Sequence, residues 1–148
     1  RESRRFGYRE FVVAGDRFSL NGVPTTLRGD YIGFGAYIPV ELQTPAALAD
    51  TYRRFKTGLN ANALRWHLRP PPAYAHEIAD ETGIFIVAES AAYGRPDERL
   101  HMPAPVKAVY LANLHRWFEA WVVSRRNHPS IVLWSVINEM GPKYRNHQ

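Results

Sequence analysis

The chain has 148 residues, of which 45% are hydrophobic and 22% are charged, and its formal net charge is +5. This composition supplies enough apolar material for one folded core and excludes a disordered or low-complexity chain. Because no apolar run approaches the roughly 18–20 residues of a membrane span, we expect no membrane segment. The absence of cysteine excludes disulfides, zinc–thiolate sites and a cysteine nucleophile, and it leaves the cellular compartment open.

The basic charge permits an anionic partner such as nucleic acid. The arginines are scattered in pairs, as in Arg4-Arg5, Arg53-Arg54 and Arg125-Arg126, and do not form one basic stripe. Such a distribution is typical of a solvated surface, so we expect no nucleic-acid partner. Nucleic-acid binding stays as an alternative that predicts affinity falling steeply with salt.

Residues 6–31 have the pattern of short strands. Phe11-Val12-Val13 is an apolar run, and Asn21-Gly22 is a strong hairpin signal because both residue types tolerate positive φ. Val23 to Leu27 is predicted to form the next strand. We assign residues 1–20 to the end of a preceding β domain or to an entry hairpin.

From residue 45 onward, predicted helices alternate with predicted strands. The helices are expected at 45–57, 71–82 and 106–126, and the strands at 61–68, 84–88 and 131–136. This alternation predicts right-handed crossovers and a parallel sheet. With the strand from Val23 to Leu27 these make four parallel strands, which are too few for a closed barrel of about 250 residues. The fold class is therefore α/β, and residues 21–148 are expected to be the amino-terminal half of a truncated (β/α)8 TIM barrel, about its first four βα units.

Polar side chains follow the apolar strands at Asp30, at Arg65 and His67, at Glu89, and at Asn138-Glu139. The carboxyl ends of barrel strands form the active-site face. Two carboxylates at one barrel mouth suit glycoside hydrolysis, which needs a proton donor and a second carboxylate on the other side of the sugar.

Two tryptophans, Trp66 and Trp134, have two interpretations. Their rings offer a flat apolar surface on which a sugar rests, or they fill the layer between the barrel and its helices. For Trp134, in the middle of its strand, the packing interpretation is favoured.

The segment from Arg126 to Glu139, with Asn127-His128-Pro129-Ser130 and Trp134-Ser135-Val136-Ile137-Asn138-Glu139, resembles the acid/base region of glycoside hydrolase family 2. This is the family of β-galactosidases, β-glucuronidases and β-mannosidases. Further segments resemble the family in the same order: Phe6 to Phe11, Leu20 to Pro24, Leu27-Arg28-Gly29, Gly58 to Arg65, and Ala79 to Glu89.

The resemblance implies a role for each of five residues. Glu139 matches the general acid/base of a retaining β-glycosidase, and Asn138 matches the neighbour that binds the sugar's 2-hydroxyl. Arg65 matches the arginine that braces the nucleophile, Glu89 matches a carboxylate near the site, and His67 falls where the family faces the site mouth. The expected partner is a β-glycoside substrate, and the mechanism requires no metal or organic cofactor.

Departures from the family leave the sugar open. Tyr31-Ile32-Gly33-Phe34-Gly35 stands where many relatives carry a histidine, and His67-Leu68-Arg69-Pro70 stands in place of a Ser-His-Tyr-Pro run. A β-galactosidase is therefore not specifically expected. The family's nucleophile is a glutamate on a later strand, and no glutamate follows Glu139. We expect these 148 residues to be a fragment that is inactive alone.

Three alternatives to an inactive glycosidase fragment stay open. The chain is a non-catalytic carbohydrate-binding half-barrel, or one that self-associates through unpaired barrel edges. In a third, minor alternative Glu89 and Glu139, on strands about 4.8 Å apart, act as an improvised catalytic pair.

Overall fold

The computed structural model describes residue 3 and residues 6–33, 44–93 and 102–138. The chain begins with a three-stranded antiparallel sheet in the order β1-β2-β3. Its strands are β1 (Phe11–Ala14), β2 (Arg17–Leu20) and β3 (Val23–Thr25). Asn21 and Gly22 both have positive φ, 50° and 79°, which confirms the predicted hairpin turn between β2 and β3.

The strand predicted from Val23 to Leu27 begins at Val23 as expected but ends two residues early, at Thr25. Pairing with β2 ends within β3, and the next strand, β4 (Gly29–Ile32), belongs to a different sheet. The side chain of Asn62 causes the change of direction. Its Oδ1 accepts from the Arg28 backbone N–H at 2.7 Å, and its Nδ2 donates to the Thr26 carbonyl at 2.9 Å. These bonds satisfy backbone groups of the segment between β3 and β4, so this segment does not need to pair with β2.

The rest of the described chain confirms the predicted alternation of strands and helices. The strands β4, β5 (Ala63–Trp66), β6 (Phe85–Glu89) and β7 (Ile131–Ser135) form one parallel sheet in that order. The helices are α1 (Pro45–Gly58), α2 (Ala73–Thr82) and α3 (Ala104–Arg125). None of these described helices is long and apolar enough to cross a membrane.

Local signals account for the helix ends. Thr44 caps α1 by accepting a hydrogen bond from the Ala47 backbone N–H at 3.2 Å, and Pro45 occupies the first helical position. Gly83 ends α2 in the left-handed conformation, with φ of 68°, and leads directly into β6.

One face of the parallel sheet packs against the helices and forms the core. Trp66 is 1% exposed, and its Nε1 donates to the hydroxyl of Tyr52 on α1 at 3.0 Å. Trp134 meets Trp121 of α3 edge to face at 4.9 Å. The packing interpretation is therefore confirmed for both strand tryptophans. Other buried members of this core are Leu48, Leu64, Ala75, Ala79, Ile84, Ile86, Ala88 and Ile131.

The opposite face of the parallel sheet carries Arg65 and the residues in register with it. Because side chains alternate along a strand, residues in register with Arg65 share its face. Arg65 pairs in register with Tyr31 of β4 and Val87 of β6, and Glu89, two residues after Val87, pairs with Ser135 of β7. The polar residues of the carboxyl ends are thereby brought to one side.

The antiparallel sheet lies against the amino end of the parallel sheet. Phe11 of β1 contacts Phe85, the first residue of β6, with ring centroids 6.2 Å apart. The boundary expected between residues 20 and 21 falls in the turn between β2 and β3, inside this small sheet. The division into a β domain and a barrel domain stays a prediction.

Candidate active site

A buried ion pair joins β5 to β6 at the carboxyl end of the sheet. The Nε of Arg65 donates to Oε2 of Glu89 at 2.8 Å, and the Nη2 of Arg65 lies 2.6 Å from the same oxygen. The Glu89 side chain is 0% exposed, whereas the Arg65 side chain is 40% exposed. The arginine therefore connects a buried carboxylate with the open face of the sheet.

Two further donors complete the surroundings of Glu89. The hydroxyl of Ser135 on β7 donates to Oε2 at 2.8 Å, and the backbone N–H of Leu68 donates to Oε1 at 2.7 Å. Leu68 adopts a left-handed φ of 59°, which is rare for a residue with a branched side chain. An ionised carboxylate only accepts hydrogen bonds, so it fits this shell of donors.

Arg65 also reaches Asn138, which follows β7. Its Nη2 donates to Oδ1 of Asn138 at 2.6 Å, and Asn138 is 6% exposed. The backbone N–H of Asn138 donates to the Ala92 carbonyl at 3.0 Å, and Asn138 forms an isolated parallel bridge with Tyr93. Because Oδ1 of Asn138 accepts the hydrogen bond from Arg65, the orientation of the Asn138 amide is fixed. Within the described part of the chain, the buried Nδ2 has no hydrogen-bond partner.

His67 lies one residue beyond the end of β5, beside Tyr31 of β4. The two rings meet edge to face with centroids 5.6 Å apart. The backbone N–H of His67 donates to the Ile32 carbonyl at 3.1 Å, which extends the pairing of β4 and β5 beyond their named strands. His67 is thus at the carboxyl end of the sheet, as the sequence predicted.

The structure brings together Arg65, Glu89 and Asn138, whereas Glu139 lies outside the described residues. The expectation for Asp30 was wrong. It precedes Tyr31 on β4 and, by strand alternation, lies on the other face from Arg65, and its Oδ1 accepts from the Tyr31 backbone N–H at 2.7 Å. Asp30 is the second residue of the separate strand β4 and does not follow the end of the strand predicted from Val23, which accounts for this difference.

Sequence reasoning missed Ser135 and Leu68 as partners of Glu89. Ser135 had a detectable signal, because it is a polar residue at the end of the apolar strand β7, three residues before Asn138. Leu68 had none, because its contribution is a backbone N–H placed by an unusual φ.

A cavity of about 720 Å³ lies at the opposite, amino end of the sheet, away from this network. Its wall includes Phe6, Glu77, Asp80 and His128. The Nδ1 of His128 lies 2.7 Å from Oδ2 of Asp80, whose Oδ1 accepts from the Ser130 backbone N–H at 3.0 Å. These contacts hold the start of β7 against α2. Across the residues that the structure describes, no group of three or more acidic or histidine side chains is placed to hold a metal ion.

Comparison with known proteins gives the same picture of the chain. The family model described as "Glycosyl hydrolases family 2, TIM barrel domain" matches residues 54–148, well over half of the chain. A β-glucuronidase of Paenibacillus borealis is 28% identical over 141 residues, which are 90% of this chain and 23% of that protein. A β-galactosidase of Klebsiella pneumoniae strain 342 is 29% identical over 143 residues, which are 95% of this chain and 13% of that protein.

Solved structures share the fold. The β-glucuronidase of Ruminococcus gnavus in complex with C6-substituted uronic isofagomine has a TM-score of 0.74 at 24% identity, over 92% of this chain and 23% of that one. A β-glucuronidase of an uncultured Clostridium has a TM-score of 0.73 at 23% identity, over 95% of this chain and 24% of that one. The chain thus spans less than a quarter of the length of these proteins. Because the family model matches residues 54–148 and the described strands of this region form a parallel βα sheet, the chain belongs to glycosyl hydrolase family 2 and forms part of its TIM-barrel domain.

Proposed function

We propose that the Arg65–Glu89–Asn138 network is the sugar-binding part of a retaining β-glycosidase site, in which Glu139 is the general acid/base. The observation that carries the proposal is the double contact of Arg65, which bonds Glu89 and Asn138 together. This arrangement orients a buried amide at the carboxyl edge of the sheet, immediately before the proposed acid/base. The carboxyl edge is also where TIM-barrel enzymes carry their active sites.

Asn138 holds the sugar through its amide donors. Because Arg65 engages Oδ1, the Nδ2 hydrogens remain for an acceptor such as a sugar 2-hydroxyl. Hydrogen bonds to the 2-hydroxyl strengthen as an oxocarbenium-like transition state forms. The neighbouring Glu139 then donates a proton to the leaving oxygen and later accepts one from water.

Glu89 is a positioning residue in this proposal and does not act as the nucleophile. Both of its oxygens already accept hydrogen bonds, from Arg65, Ser135 and Leu68, so neither is available to attack a sugar. This argues against the improvised pairing of Glu89 with Glu139. The resemblance assigns the nucleophile to a glutamate of a later strand, and the 148 residues contain none after Glu139. A polypeptide of these residues alone is expected to bind β-glycosides without hydrolysing them.

The substrate class is a β-linked glycoside, and the relatives divide between β-glucuronidases and β-galactosidases. Binding is tested by NMR titration of the chain with methyl β-D-glucuronide and methyl β-D-galactoside, each beside its 2-deoxy analogue. We expect one glycoside to bind, and its 2-deoxy analogue to bind about tenfold more weakly, as for one lost hydrogen bond. In Asn138→Ala the glycoside and its 2-deoxy analogue should bind with equal affinity.

Asn113→Ala is the matched control. Asn113 on α3 also accepts from an arginine Nη2, that of Arg116, at 2.5 Å, but it is exposed on the outer surface. Unchanged discrimination in Asn138→Ala would contradict the sugar-binding role. For catalysis, we expect no release of nitrophenol from p-nitrophenyl β-glucuronide or β-galactoside. Turnover that Glu139→Gln abolishes would overturn the prediction of inactivity.

A second candidate function is self-association. Within the described sheet, β4 and β7 each have a neighbour on one side, and α3 exposes apolar side chains that include Val106, Val109, Leu111 and Trp117. Unpaired strand edges and apolar patches favour association. Light scattering coupled to size-exclusion chromatography measures the mass directly. A monomer at 100 μM, a concentration of the order at which weak dimers form, would contradict this candidate.

A further inference from the structure

Tyr31 is an aromatic side chain that the core does not use. It lies in β4, one residue before the buried Ile32, and it is 51% exposed. Alternation along the strand places Ile32 toward the helices and Tyr31 on the inner face with Arg65, its partner in register. Half of the ring is therefore accessible to a ligand on the inner face of the sheet.

The ring has a fixed orientation. Tyr31 meets His67 edge to face, at 5.6 Å between centroids with an interplanar angle of 66°. His67 is itself anchored, because its backbone N–H bonds to the carbonyl of Ile32. The two rings, which we name the aromatic wall, stand at the ends of β4 and β5. Aromatic pairs of this geometry stabilise each other by about 0.5–1.5 kcal/mol.

The aromatic wall and Asn138 flank Arg65 from opposite sides. The strand order β4-β5-β6-β7 places Tyr31 on one side of Arg65, while the guanidinium of Arg65 extends across β6 to Asn138 on the other. A ligand bound at Asn138 and lying over Arg65 therefore points its far end at the aromatic wall.

We infer that the aromatic wall contacts the glycone at its C4–C6 end and that Tyr31 is a specificity-determining residue; this inference rests on the proposed function. C2 and C5 lie on opposite sides of a pyranose ring. When the 2-hydroxyl is bound by Asn138, C5 and its neighbours C4 and C6 therefore lie on the far side of the sugar, toward Tyr31. The apolar C–H groups of a sugar pack on an aromatic face, and the phenol is a polar group beside it.

Two measurements on the 148-residue chain test the inference, with the methyl β-glycosides named above and methyl β-D-glucoside as probes. Isotope-filtered NMR of chain carrying 13C-labelled tyrosine should show contacts from the Tyr31 ring to the sugar protons at C4 to C6. Tyr31→Ala should weaken binding about three- to tenfold, as for a lost aromatic contact. It should also reduce the preference between the C4 epimers, while the dependence on the 2-hydroxyl persists. Tyr31→Phe, which keeps the ring, should bind within about twofold of the unmodified chain.

Tyr8→Ala is the matched control, because Tyr8 is also exposed and meets Phe6 edge to face at 5.5 Å. It lies beside Arg9 at the amino end of β7, and its substitution should leave binding unchanged. If Tyr31→Ala keeps the affinity and epimer preference, or the labelled ring shows contacts only to C1 and C2 protons, the inference on Tyr31 fails and the proposed function stands. If no glycoside binds the unmodified chain, both fail.

Discussion

Arg65 and Asn138, 73 positions apart in the chain, are joined by a hydrogen bond of 2.6 Å between Nη2 and Oδ1. The same guanidinium pairs with the fully buried Glu89, so one side chain connects β5, β6 and the segment after β7. The ion pair joins β5 to β6, and the hydrogen bond to Asn138 adds the segment after β7, so one arginine side chain connects the carboxyl edge of the sheet.

Replacement of Glu89 by glutamine is expected to destabilise the fold and to release Arg65. Glutamine places an amide group where Glu89 now accepts from Arg65, Ser135 and Leu68, so donors face donors. Breaking a buried ion pair costs about 3–5 kcal/mol, and we expect the lower part of this range because Arg65 is partly exposed. Urea unfolding followed by tryptophan fluorescence measures the loss.

The exposed Glu77 of α2 provides the control for this change. Glu77→Gln should alter the free energy of unfolding by no more than about 0.5 kcal/mol. Equal stabilities of the two glutamine variants would show that Glu89 does not hold the carboxyl edge together.

The sequence predicted which polar residues meet, because the carboxyl ends of parallel strands share one edge. Arg65, Glu89 and Asn138 each follow or end an apolar strand, and the structure brings them into contact. The helices were equally predictable, since Leu48 and Tyr52 recur on one face of α1.

What the sequence did not reveal depends on contacts between distant residues. The separation of β3 from β4 follows from the side chain of Asn62, which lies more than 30 residues farther along the chain. Leu68 supplies a backbone donor to Glu89 from a left-handed conformation. Because leucine, unlike glycine or asparagine, rarely adopts this conformation, the sequence does not indicate it. Local patterns indicate elements and faces, whereas these details depend on the assembled sheet.

Gly29 is expected to be required for the pairing of β4 with β5. A Cβ at this position would lie 2.0 Å from the carbonyl oxygen of Ala63 and 2.7 Å from its carbon, both backbone atoms of the adjoining strand segment. Because a backbone does not yield as a flexible side chain does, Gly29→Ala should cost about 2–3 kcal/mol in unfolding free energy. Thermal and urea unfolding measure this loss.

Gly58→Ala is the opposite case and serves as the control. Gly58 is the last residue of α1, and a Cβ there would meet nothing within 4 Å. Alanine favours the helix, so this variant should be stabilised by up to about 1 kcal/mol. If both alanine variants lose stability equally, the close approach at Gly29 is not the cause.

His76 is expected to make the fold sensitive to acid. It is fully buried in α2, its ring stacks on that of His128 at 5.1 Å, and neither of its ring nitrogens has a hydrogen-bond partner in the described ranges. Burial, the largest cause, and the charges of His128 and Arg125 together lower the pKa of His76 to about 3, and the charge of Asp80 opposes them.

The sign of the effect follows from proton uptake. Between pH 6.5 and pH 3 the unfolded chain protonates this histidine and the folded chain does not, so acid favours unfolding. The free energy of unfolding should fall by about 1.4 kcal/mol per pH unit in this window through His76 alone. In His76→Phe this contribution disappears, and above pH 7 the site has no pH-dependent effect.

Urea unfolding at pH 7, 6, 5 and 4 measures the difference in slope between His76→Phe and the unmodified chain. The neighbouring Asp80, His128 and Arg125 are unchanged in both proteins, so the two chains differ only at position 76. His115→Phe, on the exposed surface of α3, is the control and should keep the original slope. A slope that is the same in all three proteins would refute the assignment to His76.

Arg9 is expected to anchor the amino-terminal segment to the start of β7 in a manner that lysine does not reproduce. Its Nε donates to the carbonyl of Pro129 at 3.0 Å, and its Nη2 donates to the carbonyl of Ile131. Partial burial lowers the pKa of this guanidinium, which still carries its charge near neutral pH.

A guanidinium serves two carbonyls at fixed angles, whereas an ammonium is a single point of charge. Arg9→Lys should therefore lose about 1.5–3 kcal/mol of unfolding free energy, in the range of hydrogen bonds that involve a charged group. Arg17→Lys provides the control, because Arg17 is exposed and lies 3.7 Å from the equally exposed Asp16. Hydrogen exchange at the Ile131 amide gives a local readout, which should quicken in Arg9→Lys only. Full stability in Arg9→Lys would mean that charge, and not the two-carbonyl geometry, fixes this segment at the amino end of β7.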